Sequence, residues 1–232
     1  MATGGSGDSS LPESYFGNVR REIESLLPES TRRVLEFGCA FGGTVRWLRS
    51  IRDVERAVGI ELMEEAASRA REVFDDVLVT DLARGEPDLS GECFDLVLAL
   101  DVLEHLPDPH AALRLARRHM APGATLIVSL PNVAHHSIAV PLLLRGAWEY
   151  TDQGLLDRTH LRFFTRRSAI NMIVEAGFEV RRLEATRLAP RFFQALGLKG
   201  RRWRWYDERL MRAVLPARLV DFQHLIAAVK PV

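Results

Sequence analysis

Cysteine is scarce in this sequence, and so are lysine and long apolar runs. The 232 residues include 2 cysteines, Cys39 and Cys93, which do not form the paired spacing of a structural zinc site or a disulfide framework. Pro141 interrupts the apolar run 138–144, which is far shorter than the ~20 residues of a membrane-spanning helix. The sequence therefore predicts no membrane span and favours a cytoplasmic location.

Net charge is also missing, because 31 Lys and Arg residues balance 31 Asp and Glu residues. A neutral chain lacks the overall field that draws proteins to phosphate backbones, so nucleic acid is not the expected partner. The apolar share of 47% is ordinary for a globular protein. We predict a disordered Gly- and Ser-rich leader over residues 1–12 and a single domain over residues 13–232.

Short apolar runs alternate with amphipathic stretches of helical length between residues 33 and 130. This alternation is typical of a parallel sheet built from βαβ units. The predicted strands cover 33–37, 57–61, 77–80, 94–100, 124–130, 178–188 and 223–229, and the predicted helices cover 14–27, 44–51, 63–74, 109–120 and 166–176. Two stretches, about 131–165 and 189–220, are longer than ordinary connections and are predicted to be insertions, the first of them a lid or a substrate-binding element.

The first predicted strand leads into VLEFGCAFGG, a glycine-rich turn before a helix. Such a turn lets a ligand approach the backbone at the carboxyl edge of the sheet. Gly38, Ala40 and Gly43 fit the dinucleotide pattern G-x-G/A-x-x-G, so an NAD-dependent oxidoreductase is one interpretation. Glu36 favours another, because its carboxylate would repel a pyrophosphate but attract the ammonium of an amino-acid-bearing nucleoside.

The second and third predicted strands both end beside acidic residues. Glu61, followed by Leu62, can accept hydrogen bonds from ribose hydroxyls, and Asp81 can accept one from an adenine amino group. Ordinary solvated strand ends are the alternative interpretation of both carboxylates.

The succession VLEFGCAFGG, AVGIELMEEA, VTDLA, FDLVLALDVLEHLPDP and GATLIVSLPN resembles the class I S-adenosylmethionine-dependent methyltransferases over residues 34–132. The resemblance implies an α/β, Rossmann-like, doubly wound sheet of seven mostly parallel strands in the order 3-2-1-4-5-7-6. Strand seven would be antiparallel, with helices on both faces of the sheet. Ala40 departs from the family pattern, which usually has Gly at the middle of the loop. The implied cofactor-binding residues are Glu36, Gly38, Ala40, Gly42, Glu61, Leu62, Asp81 and Asp101.

Three side chains that could serve a methyl acceptor follow the fourth predicted strand. Asp101, Glu104 and His105 are spaced i, i+3, i+4, which places them on one side of a helical turn. Carboxylates and imidazole together can bind a divalent cation. The Asp101-x-x-Glu104 spacing equally fits a capping box, in which the side chains only satisfy backbone amides.

This segment is also similar to small-RNA 2′-O-methyltransferases and ubiquinone-pathway O-methyltransferases. That resemblance implies Mg²⁺ or another divalent cation that grips adjacent acceptor hydroxyls. The implied metal ligands are Asp101, Glu104, His105 and, in THLRFFTR, His160. Asp101 is one methylene shorter than the Glu expected from the pattern.

Without a metal, the acceptor hydroxyl needs a general base. An imidazole with an ordinary pKa of about 6.5 is suited to that task. The candidate catalytic residues are His105, His160 and His136. A looser resemblance of residues 131–180 to bacterial methyltransferases of glycan or secondary-metabolite assembly implies a sugar or polyhydroxylated metabolite as acceptor.

Arginines alternate with Trp203, Trp205 and Tyr206 in the second insertion. This pattern can hold phosphate groups, which indicates a phosphate- or nucleotide-linked acceptor, although a solvated amphipathic helix explains it equally. The sequence thus predicts an S-adenosylmethionine-dependent O-methyltransferase of a hydroxylated small molecule. The alternatives are a noncatalytic S-adenosylmethionine-binding assembly partner and, less favoured, the NAD-dependent oxidoreductase.

Overall fold

The computed structural model describes residues 18–186 and 215–232. Its centre is a seven-stranded sheet in the order β3-β2-β1-β4-β5-β7-β6. Strands β1 to β5 pair in parallel, and β7 runs antiparallel between β5 and β6. The fold class and strand order implied by the sequence are confirmed.

The strands follow the predicted apolar runs closely. Because most are covered on both faces, they form near-continuous apolar stretches. Their bounds are β1 Arg33–Phe37, β2 Arg56–Glu61, β3 Asp76–Val79, β4 Phe94–Leu100, β5 Met120–Pro131, β6 Glu179–Thr186 and β7 Gln223–Val229.

The described helices are α1 Gly43–Ile51, α2 Glu64–Ala70, α3 Pro109–Arg118, α4 His136–Arg145, α5 Arg166–Glu175 and α6 Ala217–Val220. Helix α3 begins where the sequence predicts, because the Asp108 side chain accepts from the Ala111 amide and Pro109 occupies the first turn. The predicted helix over 14–27 is wrong in its described part, which contains only a 3₁₀ helix, Arg21–Leu26.

Apolar side chains pack in two clusters, one on each face of the sheet. Leu35 and Phe37 of β1 belong to one cluster and Val34 belongs to the other, as the alternating direction of strand side chains requires. The carboxyl ends of β1, β2 and β4 meet at one edge of the sheet, where parallel strands of this type bind ligands.

The predicted insertion over 131–165 contains α4 and then a stretch without regular helices or strands that leads to α5. Most of the second insertion, with its Arg and Trp residues, lies outside the described residues, as does the leader over 1–12. Within 18–186 and 215–232, no helix combines the length and apolar character needed to cross a bilayer.

Candidate functional site

The turn after β1 is shaped by three residues in the left-handed region: Gly38 at φ 65°, Ala40 at φ 47° and Gly42 at φ 77°. At Gly38, an added Cβ would lie 2.7 Å from Cγ2 of Val102, so a side chain there would require Val102 to move. Ala40 holds a strained conformation that an alanine rarely adopts. Gly38 stays exposed at this turn despite the departure from glycine at Ala40.

Glu36 is buried beneath this turn. Its Oε2 atom has no hydrogen-bond partner in the described part of the chain. Burial raises the pKa of Glu36 to about 8, an effect that the nearby Arg20 charge opposes and the Glu61 charge reinforces. A buried, unpartnered carboxyl group of this kind is suited to receive a cationic group from a ligand.

Glu61 organises the other wall of the crevice. One of its carboxylate oxygens accepts from the Ala40 amide at 2.9 Å, and the other accepts from the amides of Leu62 and Met63 at 2.8 and 3.0 Å. These bonds use three of about four acceptor positions, so capacity remains for about one hydroxyl. Leu62 is 62% exposed beside it, which leaves an apolar surface open to a ligand.

Asp81 lies after β3 at the same edge of the sheet. Its carboxylate accepts from the Ala83 amide at 2.9 Å and lies 3.1 Å from the Arg84 guanidinium. This half-buried carboxylate therefore already has two partners.

Asp101 follows β4 with φ 57°, another strained left-handed residue. Its carboxylate accepts from Ser129 Oγ at 2.6 Å and from Gln223 Nε2 at 2.9 Å, and it pairs with Arg20. The capping-box alternative is wrong, because the 3₁₀ helix Leu103–His105 has Val102 at its N-cap and no side-chain cap. Asp101 is not a member of the group of possible metal-ligand atoms described below.

Arg20 is the residue of this site that the sequence reasoning missed. It is buried, contacts Asp101 and Glu22, and donates from Nη2 to Gln223 Oε1 at 3.3 Å. It brings a fixed positive charge next to Glu36, so the crevice offers both signs of charge. No local motif marks this residue, because two of its partners, Asp101 and Gln223, are 81 and 203 positions away in the chain.

Glu104, His105 and His160 come together at the end of β4. One ligand atom from each lies within 4.8 Å of the other two. The imidazole rings of His105 and His160 meet edge to face, with centroids 4.8 Å apart. The sequence predicts that side chains following β4 meet a histidine from the insertion over 131–165. The structure brings Glu104, His105 and His160 together in this way.

Backbone carbonyl groups set the orientation of both imidazoles. His105 Nδ1 lies 3.2 Å from the carbonyl oxygen of Thr159, and His160 Nδ1 lies 3.2 Å from that of Leu155. A carbonyl can only accept, so in the neutral form of each ring Nδ1 carries the proton and Nε2 has the lone pair. This is the arrangement in which histidine binds a metal or accepts a proton.

Glu104 has no such support. Neither carboxylate oxygen has a hydrogen-bond partner in the described part of the chain. Burial, reinforced by the charge of Asp101, raises the pKa of Glu104 well above its ordinary value. Burial and the neighbouring His160 lower the pKa of His105. A buried carboxyl group without a partner is compatible with a cation shared by the three side chains, because such a cation would pair with Glu104 and favour its ionised form.

His136 lies elsewhere. It begins α4, its Nδ1 contacts the Leu219 carbonyl oxygen at 2.9 Å, and its ring lies 4.1 Å from that of His135. It is not part of the group formed by Glu104, His105 and His160. The predicted set of three candidate bases therefore divides into one pair and one separate residue.

Comparison with known families adds the remaining evidence. The sequence model of a family described as a methyltransferase domain matches residues 12–183. A ubiquinone biosynthesis O-methyltransferase of Neisseria meningitidis is 28% identical over 161 aligned positions, and the match covers 64% of this chain and 64% of that protein. The chain thus aligns with less than two thirds of that relative's length.

Solved structures share the fold at lower identity. A putative methyltransferase from Haloferax volcanii, in complex with the Trm112 methyltransferase activator, superposes with a TM-score of 0.65 at 18% identity, covering 95% of this chain and 92% of that one. An S-adenosylmethionine-dependent methyltransferase from Mesorhizobium loti has a TM-score of 0.59 at 18% identity, with coverage of 90% and 96%.

Proposed function

We propose, from the premise that this chain belongs to the class I S-adenosylmethionine-dependent methyltransferases, that it methylates a hydroxyl group of a small molecule. The observation that carries the proposal is the convergence of Glu104, His105 and His160 at the sheet edge that also carries the glycine-rich turn. The relatives named as ubiquinone biosynthesis O-methyltransferases support oxygen as the methylated atom.

The residues around the glycine-rich turn fit the cofactor. S-adenosylmethionine supplies an electrophilic methyl carbon on a sulfonium, together with an ammonium, a carboxylate and a ribose. Glu36 would receive the ammonium, and its unpartnered Oε2 is the observation that supports this assignment. Arg20 would attract the carboxylate, Glu61 would accept from the ribose, and Gly38, Ala40 and Gly42 would let the ligand approach the turn. Leu62 and Asp81 would border the adenine.

The group of Glu104, His105 and His160 fits an acceptor held by a divalent cation. We assign the ligands to Glu104, His105 and His160, and leave Asp101 with its Arg20 and Gln223 partners. Two imidazoles and one carboxylate favour Mn²⁺, Zn²⁺ or a similar cation over Mg²⁺, which prefers oxygen ligands. A cation at this position would lower the pKa of a bound hydroxyl and orient it.

The chain's own residues then have separate tasks. The carbonyls of Thr159 and Leu155 hold both imidazoles in the ligand orientation, and burial of Glu104 keeps its carboxylate away from water. If no cation binds, His105 or His160 would take the hydroxyl proton at Nε2. The lowered pKa of His105 keeps that ring neutral and able to accept it near pH 7.

We further propose that the acceptor carries adjacent hydroxyls, as in a sugar or another polyhydroxylated metabolite. Two neighbouring oxygens can both bind one cation, and chelation would fix which of them faces the methyl donor. A phosphate- or nucleotide-linked form of such an acceptor is compatible with the arginines of the second insertion.

Metal dependence can be tested with matched histidine variants. We expect wild-type protein to bind about one divalent cation and to lose methyl transfer from labelled S-adenosylmethionine in excess EDTA, with recovery on adding Mn²⁺ or Zn²⁺. His160→Ala should lose the cation and the transfer. The surface variant His110→Ala should retain both, because His110 lies on α3 away from the cluster.

Full activity in EDTA, together with no metal in the purified protein, would remove the metal and leave the general-base route. Tight binding of S-adenosylhomocysteine without transfer to any hydroxylated acceptor would instead favour the noncatalytic assembly partner. NAD binding without S-adenosylhomocysteine binding would favour the oxidoreductase.

A further inference from the structure

Three aromatic side chains form a cluster in the first insertion. The rings of Trp148 and Phe163 meet edge to face with centroids 5.1 Å apart, and the ring of Tyr150 lies 6.3 Å from that of Phe163. Tyr150 is 43% exposed, and the other two are only partly buried. We call Trp148, Tyr150 and Phe163 the aromatic platform.

The platform is continuous with the candidate metal ligands. The Phe163 ring lies 6.3 Å from that of His160, and His160 in turn contacts His105. The rings therefore lead without interruption from the solvent-exposed Tyr150 to the two imidazoles. A molecule held at His105 and His160 would have its remaining atoms within reach of these rings.

Phe163 is held in place from both sides. The amides of Leu161 and Arg162 donate to the Glu104 carbonyl at 2.8 and 3.0 Å. On the other side, the Val133 amide donates to the Phe164 carbonyl at 2.9 Å, and Asn132 forms a β-bridge to Phe164. The backbone that carries the Phe163 ring is thus tied to the end of β4 and to the end of β5. A ring fixed in this way loses little conformational freedom when it binds a ligand.

This partly exposed cluster of three aromatic rings presents apolar surface at the outside of the described chain. Aromatic rings bind flat faces well, either another aromatic ring or the C–H face of a sugar ring. The cation site alone would accept any pair of adjacent hydroxyls, cyclic or not. The platform supplies what the cation lacks, namely a way to distinguish ring-shaped acceptors.

We propose that Trp148, Tyr150 and Phe163 determine acceptor specificity by packing against the face of a ring that bears two adjacent hydroxyls. This inference rests on the proposed function, because it assumes that the acceptor binds at Glu104, His105 and His160. Both an aromatic diol and a pyranose cis-diol present the required chemistry, and the experiment distinguishes them.

Binding can be measured without turnover, by NMR titration in saturating S-adenosylhomocysteine with and without Mn²⁺. The probes are catechol, methyl α-D-mannopyranoside and the acyclic 1,2-propanediol. Wild-type protein should bind at least one ring diol more tightly than the acyclic diol. Phe163→Leu and Trp148→Leu should each raise the Kd of that ring diol by about fivefold to tenfold, the usual worth of an aromatic contact.

The controls separate specificity from folding. Phe163→Tyr keeps a ring and should restore ring-diol binding to within about twofold, whereas Val174→Ala removes exposed apolar surface on α5 and should change nothing. The Kd values of 1,2-propanediol and of S-adenosylhomocysteine should be the same in wild type and in all four variants. A general loss of structure would change both.

Preference for catechol would identify an aromatic acceptor, and preference for the pyranoside would identify a sugar. Equal binding of cyclic and acyclic diols by wild type, no binding of either ring diol, or equal losses for all three probes in Phe163→Leu would each overturn the proposal. Ring-selective binding without methyl transfer would leave the platform intact and contradict the proposed function instead.

Discussion

Replacing Glu36 with glutamine should remove a specific pH dependence of stability. Burial raises the pKa of Glu36 from 4.5 to about 8 in the cofactor-free protein. At about 1.4 kcal/mol for each pKa unit, ionising this group in place costs up to about 5 kcal/mol relative to water. The folded protein therefore holds a proton on Glu36 at neutral pH that the unfolded chain has released.

The sign follows from this difference in bound protons. A group whose folded pKa is raised stabilises the folded state fully below its unfolded pKa, and that contribution is lost as pH rises through the folded pKa. For a folded pKa of about 8, the free energy of unfolding should fall by about 1.4 kcal/mol between pH 7 and pH 9 through Glu36 alone. In a chain of this size the loss corresponds to a decrease in Tm of about 3–6 °C.

Thermal unfolding of the cofactor-free protein across this pH range measures the effect. Glu36→Gln has nearly the same shape and cannot ionise, so it should lack this component. Glu24→Gln, which changes an exposed carboxylate, should follow wild type. Identical pH slopes for wild type and Glu36→Gln would refute the assignment of a buried, protonated Glu36.

Cofactor binding gives a second measurement of the same group. An ammonium placed against Glu36 favours its ionised form, so binding of S-adenosylhomocysteine near pH 7 should release close to one proton. Calorimetric titrations in buffers of different ionisation enthalpy measure that number. Wild type should release a proton that Glu36→Gln does not, and affinity in wild type should rise with pH up to about 8. Equal proton release by both proteins would mean that the ammonium binds elsewhere.

Three further variants test the cofactor loop. Glu61→Ala should weaken S-adenosylhomocysteine binding by about 1.5–3 kcal/mol, the worth of a hydrogen bond to a charged group, and unchanged calorimetric affinity would count against the ribose assignment. Ala40→Gly should raise the free energy of unfolding by up to about 1 kcal/mol, because φ 47° disfavours alanine. A lower free energy of unfolding in urea denaturation would instead show that the Ala40 methyl group contributes stabilising contacts. Gly38→Ala should lower both Tm and cofactor affinity, because its Cβ would lie 2.7 Å from Val102 Cγ2, and wild-type values for both would show that the turn can open at no cost.

The sheet could be predicted well because its information is local. The strands between residues 33 and 130 are short apolar runs bounded by turns. Burial on both faces of the sheet explains why their sequences are all nearly continuously apolar. The helix predicted over 14–27 failed because apolar spacing alone does not settle helix type. In the described part, Arg20 precedes the 3₁₀ helix with φ −84° and ψ 60°, outside the α region.

The site was harder to predict because its contacts are distant in the chain. Glu104 and His105 are marked by a local motif, but their meeting with His160 depends on how the insertion folds back over β4. Asp101 shares the motif, but its carboxylate pairs with Arg20 and accepts from Gln223. No spacing rule connects Asp101 to either residue. His136 was selected for its residue type, and at the start of α4 its Nδ1 contacts the carbonyl oxygen of residue 219, which is distant in the chain.

Methyl transfer itself tests the central claim most directly. Purified protein loaded with Mn²⁺ or Zn²⁺ would be incubated with methyl-deuterated S-adenosylmethionine and a panel of vicinal diols, and the products analysed by mass spectrometry. We predict a deuterated methyl ether on one hydroxyl, formed by wild type and absent with His160→Ala. Tight S-adenosylhomocysteine binding with no labelled ether from any diol would contradict the account.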